Sequence, residues 1–335
     1  MATQKLTIQK IADLAQVSKA TVSRVLNDYP HISDEVKARV LKIVHETGYR
    51  RNHIARTLAS SRSNMIGLVI PSDAQSVFTD PYFPTLTQGI TYTAKRNEQT
   101  LALFLCESEE EGGETIASIL SNGLLDGIII TADYKDYAFE KQLLAGNVPF
   151  VFIGRPFDTV CSPYVDTDNQ AGGELATAYL IEQGYQRIAI IGSDKNTSGD
   201  DRYIGYQRAL EKHGRALDES LVVFGDYSME SGAQRMEDLL PAKPDAVFIT
   251  SDAMALGAIR TLHRHNLRVP EDIAIVGFDD LSPALQADPQ LTTIRQPIGD
   301  VGSLAVETLL EIIRNPERPP RQIALPVELI VRASA

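Results

Sequence analysis

Apolar residues near the start of the chain recur with the spacing of short amphipathic helices. The first stripe falls at i, i+3, i+4 and i+7, and the second falls at i, i+3 and i+4. Thr7 and Ser18 stand where each helix would begin, and both have side chains that cap helices. Because few residues separate the stripes, we expect the helices to cross tightly as a helix-turn-helix. The stripes consist of Ile8, Ile11, Ala12 and Ala15, and of Val22, Val25 and Leu26.

A third helix and a basic linker follow. Ser33 is expected to cap the third helix and Gly48 to end it, so that three helices close one small core. Residues 51–63 are rich in arginine and carry one short apolar stripe, which is too short for a stable helix in water. This pattern leaves a flexible tether and a short helix as alternatives. The third stripe consists of Val36, Val40, Ile43 and Val44.

From Met65 onward, short runs of apolar and β-branched residues alternate with segments of helical length. Such runs are typical of parallel strands that are buried on both faces of a sheet. The region is too long for one simple open sheet, so two doubly wound lobes fit better. Ligands bind beyond the carboxyl ends of such strands, which predicts a site between the lobes. The predicted strands are residues 66–70, 101–105, 127–131, 150–153, 188–192, 246–250 and 273–278, and 322–332 is a strand-like tail interrupted by Pro326.

Charge is distributed unevenly along the 335 residues. The whole chain carries a net charge of −12, which by itself argues against nucleic-acid binding. Residues 1–62, however, hold 11 Lys+Arg and 5 Asp+Glu, a net of +6, whereas the remainder holds 21 and 39, a net of −18. A basic unit on an acidic body is the footprint of a small DNA-binding domain, since the body repels DNA and confines contact to the basic unit.

Motifs of common enzyme classes do not occur in the sequence. It contains no G-x-S-x-G, no G-x-x-x-x-G-K-[ST] and no G-x-G-x-x-G. His263 and His265 are two residues apart on a predicted helix, so they point in different directions and make a poor metal pair. Cys106 and Cys161 lack metal-binding spacing and are expected to be reduced. We therefore expect no catalytic residue, no metal and no cofactor.

The first ten residues lack the apolar region of a signal peptide, and no apolar run of about 18 residues occurs. We therefore expect a cytoplasmic protein that has no membrane segment.

The residues V-S-K-A-T-V-S-R-V-L-N at 17–27 resemble the opening of the lac repressor (LacI/GalR) family of bacterial transcription regulators. The resemblance covers the whole chain. It implies an all-α helix-turn-helix headpiece (1–50), a hinge helix or linker (51–63) that orders on DNA, and a two-lobed α/β body (64–335). That body is like a periplasmic binding protein, with two doubly wound parallel sheets. The chain departs from the family's usual G-Y-x-P-N because Arg51 replaces the proline. We expect this change to loosen the start of the hinge helix and to offer an additional phosphate contact.

The resemblance also implies DNA contacts in the headpiece and hinge. Lys19 and Ala20 match the family's two principal specificity residues, and Arg24 matches a third contact. The outward face of the second helix, which holds these positions, carries no large apolar residue. Leu58 matches the leucine that relatives insert into the minor groove as a wedge, for which packing between two hinge helices is the alternative. The remaining expected DNA contacts are Thr21, Ser23, Asn27, His31 and Asn52.

Carboxylates at the ends of predicted strands are candidates for the ligand site. Asp252 and Asp279 follow two such strands, and their oxygens can accept hydrogen bonds from sugar hydroxyls. Capping of a following helix is the alternative for both. Strand-end position also selects Tyr164, with Thr131 and Asp73 as further candidates.

Four further ligand contacts are implied by the resemblance. Arg202, in R-Y-I-G-Y, matches the family arginine that contacts effector. Tyr227 matches the family's stacking aromatic, for which core packing is the alternative. Tyr82 and Phe83 match residues that line the cleft in the N-terminal lobe.

These features predict a sequence-specific DNA-binding regulator, and the resemblance favours a repressor. Two-fold symmetry suits a near-palindromic operator, so we expect a homodimer. No heptad segment follows the tail, so we expect no tetramer. A small molecule in the cleft would change the lobe angle and with it the DNA affinity. A mono- or disaccharide is the expected effector, and a purine or another metabolite is the alternative. A periplasmic solute-binding protein is the competing class, against which the basic N-terminus and missing signal peptide argue.

Overall fold

The described part of the N-terminal unit is built from three short helices. They are α1 (Ile8–Ala15), α2 (Lys19–Leu26) and α3 (Asp34–Thr47). This unit, Met1–Ser63, is compact in itself and distinct from a second compact unit, Asn64–Ala335. The computed structural model describes residues 6–26, 29–49, 62–106, 109–132, 143–157, 162–194 and 196–335.

The ends of these helices follow from local side-chain chemistry. The hydroxyls of Thr7 and Ser33 accept backbone N–H groups in the first turns of α1 and α3. Ser18 Oγ accepts the N–H of Thr21 at 3.1 Å, and Gly48 ends α3 with a φ of +64°. The predicted caps are therefore confirmed. The fully buried core consists of Ile11, Ala12, Ala15, Val22, Val25 and Val40.

The first lobe of the body is a six-stranded parallel sheet in the order β11-β5-β4-β3-β1-β2. Helices α5 and α12 cover one face, and side chains of α6 cover the other, which explains why the strands are apolar on both faces. The elements are β1 (Met65–Ile70), α4 (Ala74–Thr79), α5 (Tyr82–Arg96), β2 (Thr100–Leu105), α6 (Glu109–Asn122), β3 (Gly127–Thr131), β4 (Phe150–Ile153), β5 (Tyr164–Thr167), α12 (Ile298–Arg314) and β11 (Gln322–Leu325).

The second lobe is another six-stranded sheet, in the order β12-β10-β9-β8-β6-β7. Helices α7 and α8 cover one face, and α9 and α10 cover the other. All neighbouring strands are parallel except β12, which runs antiparallel to β10. The elements are α7 (Asn169–Glu182), β6 (Ile188–Ser193), α8 (Thr197–Lys212), β7 (Val222–Gly225), α9 (Met229–Leu239), β8 (Ala246–Ile249), α10 (Asp252–Arg264), β9 (Ala274–Asp279), α11 (Ser282–Gln286), β10 (Thr292–Arg295) and β12 (Glu328–Ile330).

Within the described residues, the chain passes between the lobes at three crossovers. The first is Asp168, between β5 and α7, and the second is Gln296 and Pro297, between β10 and α12. The third is Pro326 and Val327, between β11 and β12. Because β5 and β10 end at the crossovers, the carboxyl edges of both sheets face a common cleft.

The structure contains every strand that the apolar runs predict, together with short strands that they do not predict. The predicted tail strand divides at Pro326, so that β11 joins the first lobe and β12 joins the second. The unpredicted strands β5, β7 and β10 have only four residues each, and β5 and β10 include polar side chains. Polar side chains hide β5 and β10 from a search for apolar runs, whereas β7, V-V-F-G, is an apolar run that the sequence analysis misses.

Cys106 is a buried free thiol whose pKa is raised by burial, as is typical of an unreactive cysteine. Cys161 lies outside the described residues. No helix in the described ranges has the length and apolarity needed to cross a bilayer.

Candidate functional site

Helix α2 places its apolar and polar side chains on opposite faces. Val22 and Val25 are buried in the headpiece core, whereas Lys19, Ala20 and Arg24 are exposed. Lysine and arginine on an exposed helix face can reach base edges and phosphates in the major groove. The structure thus groups these three predicted DNA contacts on one face, and their roles stay predictions.

The other predicted DNA contacts differ in their placement. Thr21 Oγ1 lies 2.9 Å from Ser18 Oγ, so its hydroxyl takes part in the capping turn of α2. Ser23 is half-buried in the same helix, and His31 is exposed with a φ of +76°. Asn27, Arg51, Asn52 and Leu58 lie outside the described residues.

Helices α7 and α8 approach so closely that their backbones touch. A Cβ atom on Gly173 would lie 2.2 Å from the carbonyl oxygen of Arg202, so only glycine permits this approach. Arg202 Nε donates to Asn169 Oδ1 at 2.9 Å, and Nη1 donates to the carbonyl of Thr250 at 2.6 Å. The guanidinium also lies 3.8 Å from the centre of the Phe278 ring. Arg202 is therefore fixed at the carboxyl ends of β8 and β9.

Asp279 ends β9 beside this arginine. Its Oδ1 lies 3.9 Å from Arg202 Nη1 and accepts a 2.6 Å hydrogen bond from Gln296 Nε2. Burial raises the pKa of Asp279 to about 7, with a further upward push from Asp80 in the first lobe and an opposing pull from Arg202. Asp279 is therefore a hydrogen-bond acceptor whose charge changes near neutral pH.

Asp252 occupies a different environment, although it also follows a strand. It is fully buried, and its two oxygens accept hydrogen bonds from the Thr293 hydroxyl at 2.6 Å and the Leu281 N–H at 2.9 Å. Burial and the negative charge of Asp279 raise the pKa of Asp252. Its carboxylate is occupied inside the second lobe, so this geometry favours a supporting role over ligand contact.

The capping alternative is not realised at these carboxylates. Ser251, rather than Asp252, caps α10. The short helix α11 that follows Asp279 and Asp280 has no side-chain cap.

Residues at the crossovers hold both Asp279 and Arg202. Gln296, in the second crossover, donates to Asp279 and accepts a 3.0 Å hydrogen bond from the hydroxyl of Thr167, which ends β5. Asn169, at the start of α7, accepts from Arg202. Any displacement of the two charged groups is therefore transmitted directly to the segments that join the lobes.

Arg155, which follows β4 in the first lobe, reaches across the cleft to Asp201 in the second. Its Nε and Nη2 lie 3.0 and 2.9 Å from Asp201 Oδ2. The backbone N–H of Arg155 donates to Asp166 Oδ2 at 2.9 Å, and its carbonyl accepts from the Thr197 hydroxyl. Gln170 Nε2 donates a 2.7 Å hydrogen bond to the other oxygen of Asp201, Oδ1. These bonds connect the lobes in addition to the crossovers.

Tyr227 lies in the loop after β7 with a φ of +72°. Its hydroxyl donates to Asn196 Oδ1 at 2.9 Å, and the same oxygen accepts the N–H of Gly199 at the start of α8. Its ring packs partly against the core of the second lobe. The structure thus places Tyr227 at the carboxyl edge of the sheet, where its stacking role stays a prediction.

The candidates in the first lobe are more dispersed. Tyr82 and Phe83 begin α5 with their rings 5.5 Å apart, edge to face, and Phe83 also lines a groove beside β2. Thr131 ends β3 and is buried. Tyr164 begins β5 instead of ending a strand, so the strand-end argument that selects it is wrong, and its role as a ligand contact stays a prediction. Asp73 caps α4, and its hydrogen bonds with Ser76 lower its pKa.

Several polar residues of the cleft are not found by the sequence reasoning. Arg155 follows the apolar strand β4 and Asp201 lies inside α8, whereas the other four lie in or directly after short strands that contain polar residues, which the search for apolar runs does not reach. The signal that could reveal them is a polar side chain directly after a β-branched segment, as in T-T-I-R-Q and V-D-T-D-N. These residues are Arg155, Asp166, Thr167, Asn169, Asp201 and Gln296.

A helix-turn-helix unit followed by a two-lobed α/β body with a polar cleft defines a transcriptional regulator that responds to a small molecule. Residues 7–52 match the family described as bacterial regulatory proteins, lacI family, and residues 177–335 match a periplasmic binding protein-like domain. The chain belongs to the lacI family of bacterial regulatory proteins. The predicted family and fold are thereby confirmed.

Relatives of similar length support this assignment. The chain is 35% identical over 333 residues to the HTH-type transcriptional regulator CelR of Thermobifida fusca, with 98% of each chain covered. It is 34% identical to the ribose operon repressor of Halalkalibacterium halodurans, over 97% of this chain and 96% of the relative.

Two solved structures are similar to this chain over almost its whole length. A CelR–cellobiose complex matches 98% of this chain and 100% of its own, with a TM-score of 0.79 and 33% identity. A lac repressor dimer bound to operator and the anti-inducer ONPF matches 99% of each chain, with a TM-score of 0.88 and 27% identity.

Proposed function

We propose that this protein is a homodimeric repressor that binds a near-palindromic operator and is controlled by a sugar in the cleft. The observation that carries the proposal is the pair formed by Arg202 and Asp279, which is held at the carboxyl edge of the second sheet by residues of the crossovers. Relatives are described as a ribose operon repressor and as a regulator in complex with cellobiose. The proposal includes a cytoplasmic location and no catalytic activity.

The chemistry of the cleft suits a neutral mono- or disaccharide. Sugar hydroxyls can donate to the carboxylate of Asp279 and accept from Arg202, and a hydrogen bond to a charged group contributes about 1.5–3 kcal/mol. The tyrosine ring of Tyr227 lies at the same edge, where a sugar ring can stack on it. A neutral sugar leaves the opposite charges of Arg202 and Asp279 paired with each other.

Coupling to DNA follows from the crossovers. A sugar that draws Asp279 and Arg202 toward itself also displaces Gln296 and Asn169, and so favours one angle between the lobes. In a dimer, a change in lobe angle alters the distance between the two linkers at residues 51–63 and their ability to order on DNA. The sugar thus changes operator affinity by binding one lobe arrangement more tightly than the other.

The test is a binding series with Asp279→Ala. Duplexes enriched from a random library by the parent protein serve as operator, and cellobiose and ribose serve as sugars. We expect sugar affinity, measured by calorimetry, to fall about tenfold or more, since 1.4 kcal/mol corresponds to one decade. DNA affinity without sugar should stay near that of the parent.

Glu271→Ala, which removes an exposed carboxylate from the same lobe, is the control and should change neither affinity. Parent-like sugar binding by Asp279→Ala would remove Asp279 from the site. Loss of DNA binding without sugar would show that Asp279 supports the fold instead.

A further inference from the structure

Asp279 and Asp280 are consecutive residues with left-handed backbones. Their φ angles are +121° and +58°, in a region that residues other than glycine rarely adopt. Such a conformation persists only where the surroundings over-determine it. The loop that presents Asp279 to the cleft must therefore be held by contacts other than its own backbone preference.

The side chain of Asp280 supplies these contacts. Only 7% of it is exposed, and it is bound by two arginines from neighbouring strands of the same sheet. Arg295, which ends β10, donates from Nε to Asp280 Oδ2 at 2.7 Å. Arg332, which follows β12, donates from Nη2 to Asp280 Oδ1. Each oxygen of Asp280 is thus bonded to a different strand end.

The two arginines are themselves anchored. Arg332 donates from Nη1 to the carbonyl of Leu291 at 2.8 Å, and Arg295 lies 3.4 Å from Glu328 at the start of β12. Arg332 is the better buried of the two, with 14% of its side chain exposed against 49% for Arg295. Arg332 is therefore the firmer attachment of the loop.

The far side of the loop is also fixed. The N–H of Leu281 donates to the fully buried Asp252, which in turn accepts from Thr293 of β10. Asp280 and Leu281 are thus both tied to the body of the lobe. Asp279 is the member of the loop whose carboxylate is directed at Arg202 and Gln296.

We propose that Asp280 and Arg332 are positioning residues of the effector site, which hold the left-handed loop so that Asp279 meets Arg202 and the ligand. This inference rests on the proposed function, in which Asp279 binds the sugar. It assigns a role in sensing to Arg332, a residue of the C-terminal tail that lies outside the cleft.

The physical basis is that a buried ion pair fixes one arrangement. Removing Asp280 leaves Arg332 without its carboxylate partner, and removing Arg332 leaves one buried oxygen of Asp280 without its donor, so the loop relaxes toward water and toward ordinary φ values. Asp279 then turns away from Arg202. The ligand loses a contact although Asp279 itself is unchanged.

Asp280→Asn and Arg332→Gln test the inference in the full-length protein. Asparagine tolerates the left-handed region and has nearly the same shape, so the first variant removes the charge and turns one of the two acceptor atoms into a donor while leaving the backbone preference in place. The matched control is Asp272→Asn with Arg268→Gln, which breaks an exposed Asp–Arg pair of the same lobe whose atoms are 3.0 Å apart. Calorimetry with cellobiose and ribose should show a sugar affinity about tenfold or more below that of the parent in Asp280→Asn and in Arg332→Gln, and no change in the control. The Asp280→Asn/Arg332→Gln double variant should bind the sugars no more weakly than whichever of its two single variants has the lower sugar affinity.

A second measurement needs no ligand and separates positioning from general stability. The ¹³C signal of the Asp279 carboxyl, assigned by its loss in Asp279→Asn, reports the pH at which this group titrates. In the parent, burial holds its pKa near 7 while Arg202, Asp80 and Asp252 face it. Release of the loop to water should lower that midpoint toward about 3.9 in both variants. The conservative Arg332→Lys should restore part of the ligand affinity and of the raised midpoint.

The outcomes distinguish this inference from the proposed function. If Asp279→Ala binds sugar like the parent, the proposed function fails at its site, and the titration still reports whether Asp280 and Arg332 hold the loop. If Asp279→Ala weakens binding while Asp280→Asn and Arg332→Gln match their control in affinity and in midpoint, the positioning roles are wrong. A lowered melting temperature with an unchanged Asp279 midpoint would show a merely structural ion pair and would also overturn the inference.

Discussion

The carboxylate of Asp279 lies 3.9 Å from the guanidinium of Arg202, and each group is bonded to a residue at a different crossover. Gln296 in the second crossover donates to Asp279, and Asn169 after the first accepts from Arg202. The pair therefore lies in the cleft and is bonded to the crossovers between the lobes at the same time. A ligand that binds the pair can therefore change the lobe angle through these direct hydrogen bonds, without a longer chain of contacts.

The titration of Asp279 should appear in the stability of the protein. Its pKa, raised to about 7 in the folded state, exceeds the value of about 3.9 in an unfolded chain. The folded state therefore binds more protons between these values, and the contribution of Asp279 to stability is lost as pH rises from about 4 through 7. Asp279→Asn removes this loss. The difference in unfolding free energy between variant and parent, measured by denaturant unfolding at several pH values, should therefore shift in favour of the variant as pH rises over that range.

Asp272→Asn is the contrasting control. The pKa of Asp272 is lowered, first by its hydrogen bond with Arg268. A carboxylate with a lowered pKa contributes stability that is lost only as pH falls below about 4. The unfolding free energy of this variant should therefore differ from that of the parent by a constant amount between about pH 5 and 8. A pH-independent difference for Asp279→Asn over the same range would contradict the raised pKa of Asp279.

Local patterns in the sequence were sufficient to predict the headpiece. Caps such as Ser18 and Ser33, and an apolar stripe such as Val22 and Val25, act within one or two helical turns. The strands of the body were predictable for a related reason, since strands buried on both faces are apolar throughout. The hinge residues 51–61 lie outside the described residues, so the wedge role of Leu58 stays a prediction.

The site was harder to predict because its roles depend on tertiary neighbours. Asp252 and Asp279 both follow apolar strands, and the sequence does not distinguish them. In the fold, Thr293 and Leu281 occupy both oxygens of Asp252, whereas Asp279 remains at the cleft. Gln296 was missed because it belongs to no apolar run. Its role depends on the fold, which brings it beside Thr167 and Asp279 where β5 and β10 end together.

DNA binding should depend on Arg24 more than on an equivalent charge elsewhere in the headpiece. Arg24 is exposed beside Lys19 and Ala20 on α2, and loss of one such contact costs on the order of 1–3 kcal/mol. Arg24→Ala should therefore weaken binding to the enriched duplexes by that amount in fluorescence anisotropy. If Arg24 contacts a phosphate, its loss should reduce the salt dependence of binding; if it contacts a base, its loss should relax the sequence preference.

Lys42→Ala is the matched variant, because it removes one exposed cation from α3, where Lys42 pairs only loosely with Glu46 at 3.8 Å. Both variants lower the net charge of the headpiece by one. Equal affinities for the two would show that Arg24 acts through net charge alone and not through contact.

The exposed groove on the first lobe should be part of the dimer interface. It has a volume of about 510 Å³ and lies among α4, α5 and β2. Phe78, Tyr92 and Leu103 line it with 68%, 63% and 42% of their surface exposed. Contiguous apolar surface of this kind marks interaction sites, and a relative of the same family is described as a dimer. Tyr92→Asp should therefore shift the protein toward monomer at micromolar concentration in sedimentation velocity.

Leu124→Asp controls for the introduction of a charge, because Leu124 is exposed to a similar extent, 62%, but does not line the groove. This variant should remain a dimer. A fragment that begins at residue 61 should also remain a dimer, because the groove belongs entirely to the body. Weakened dimerisation should reduce operator affinity without changing sugar affinity, since a two-fold operator needs two headpieces whereas each cleft lies within one chain. A Tyr92→Asp protein that sediments as the parent does would place the interface elsewhere, and a tetrameric parent would contradict the expected assembly.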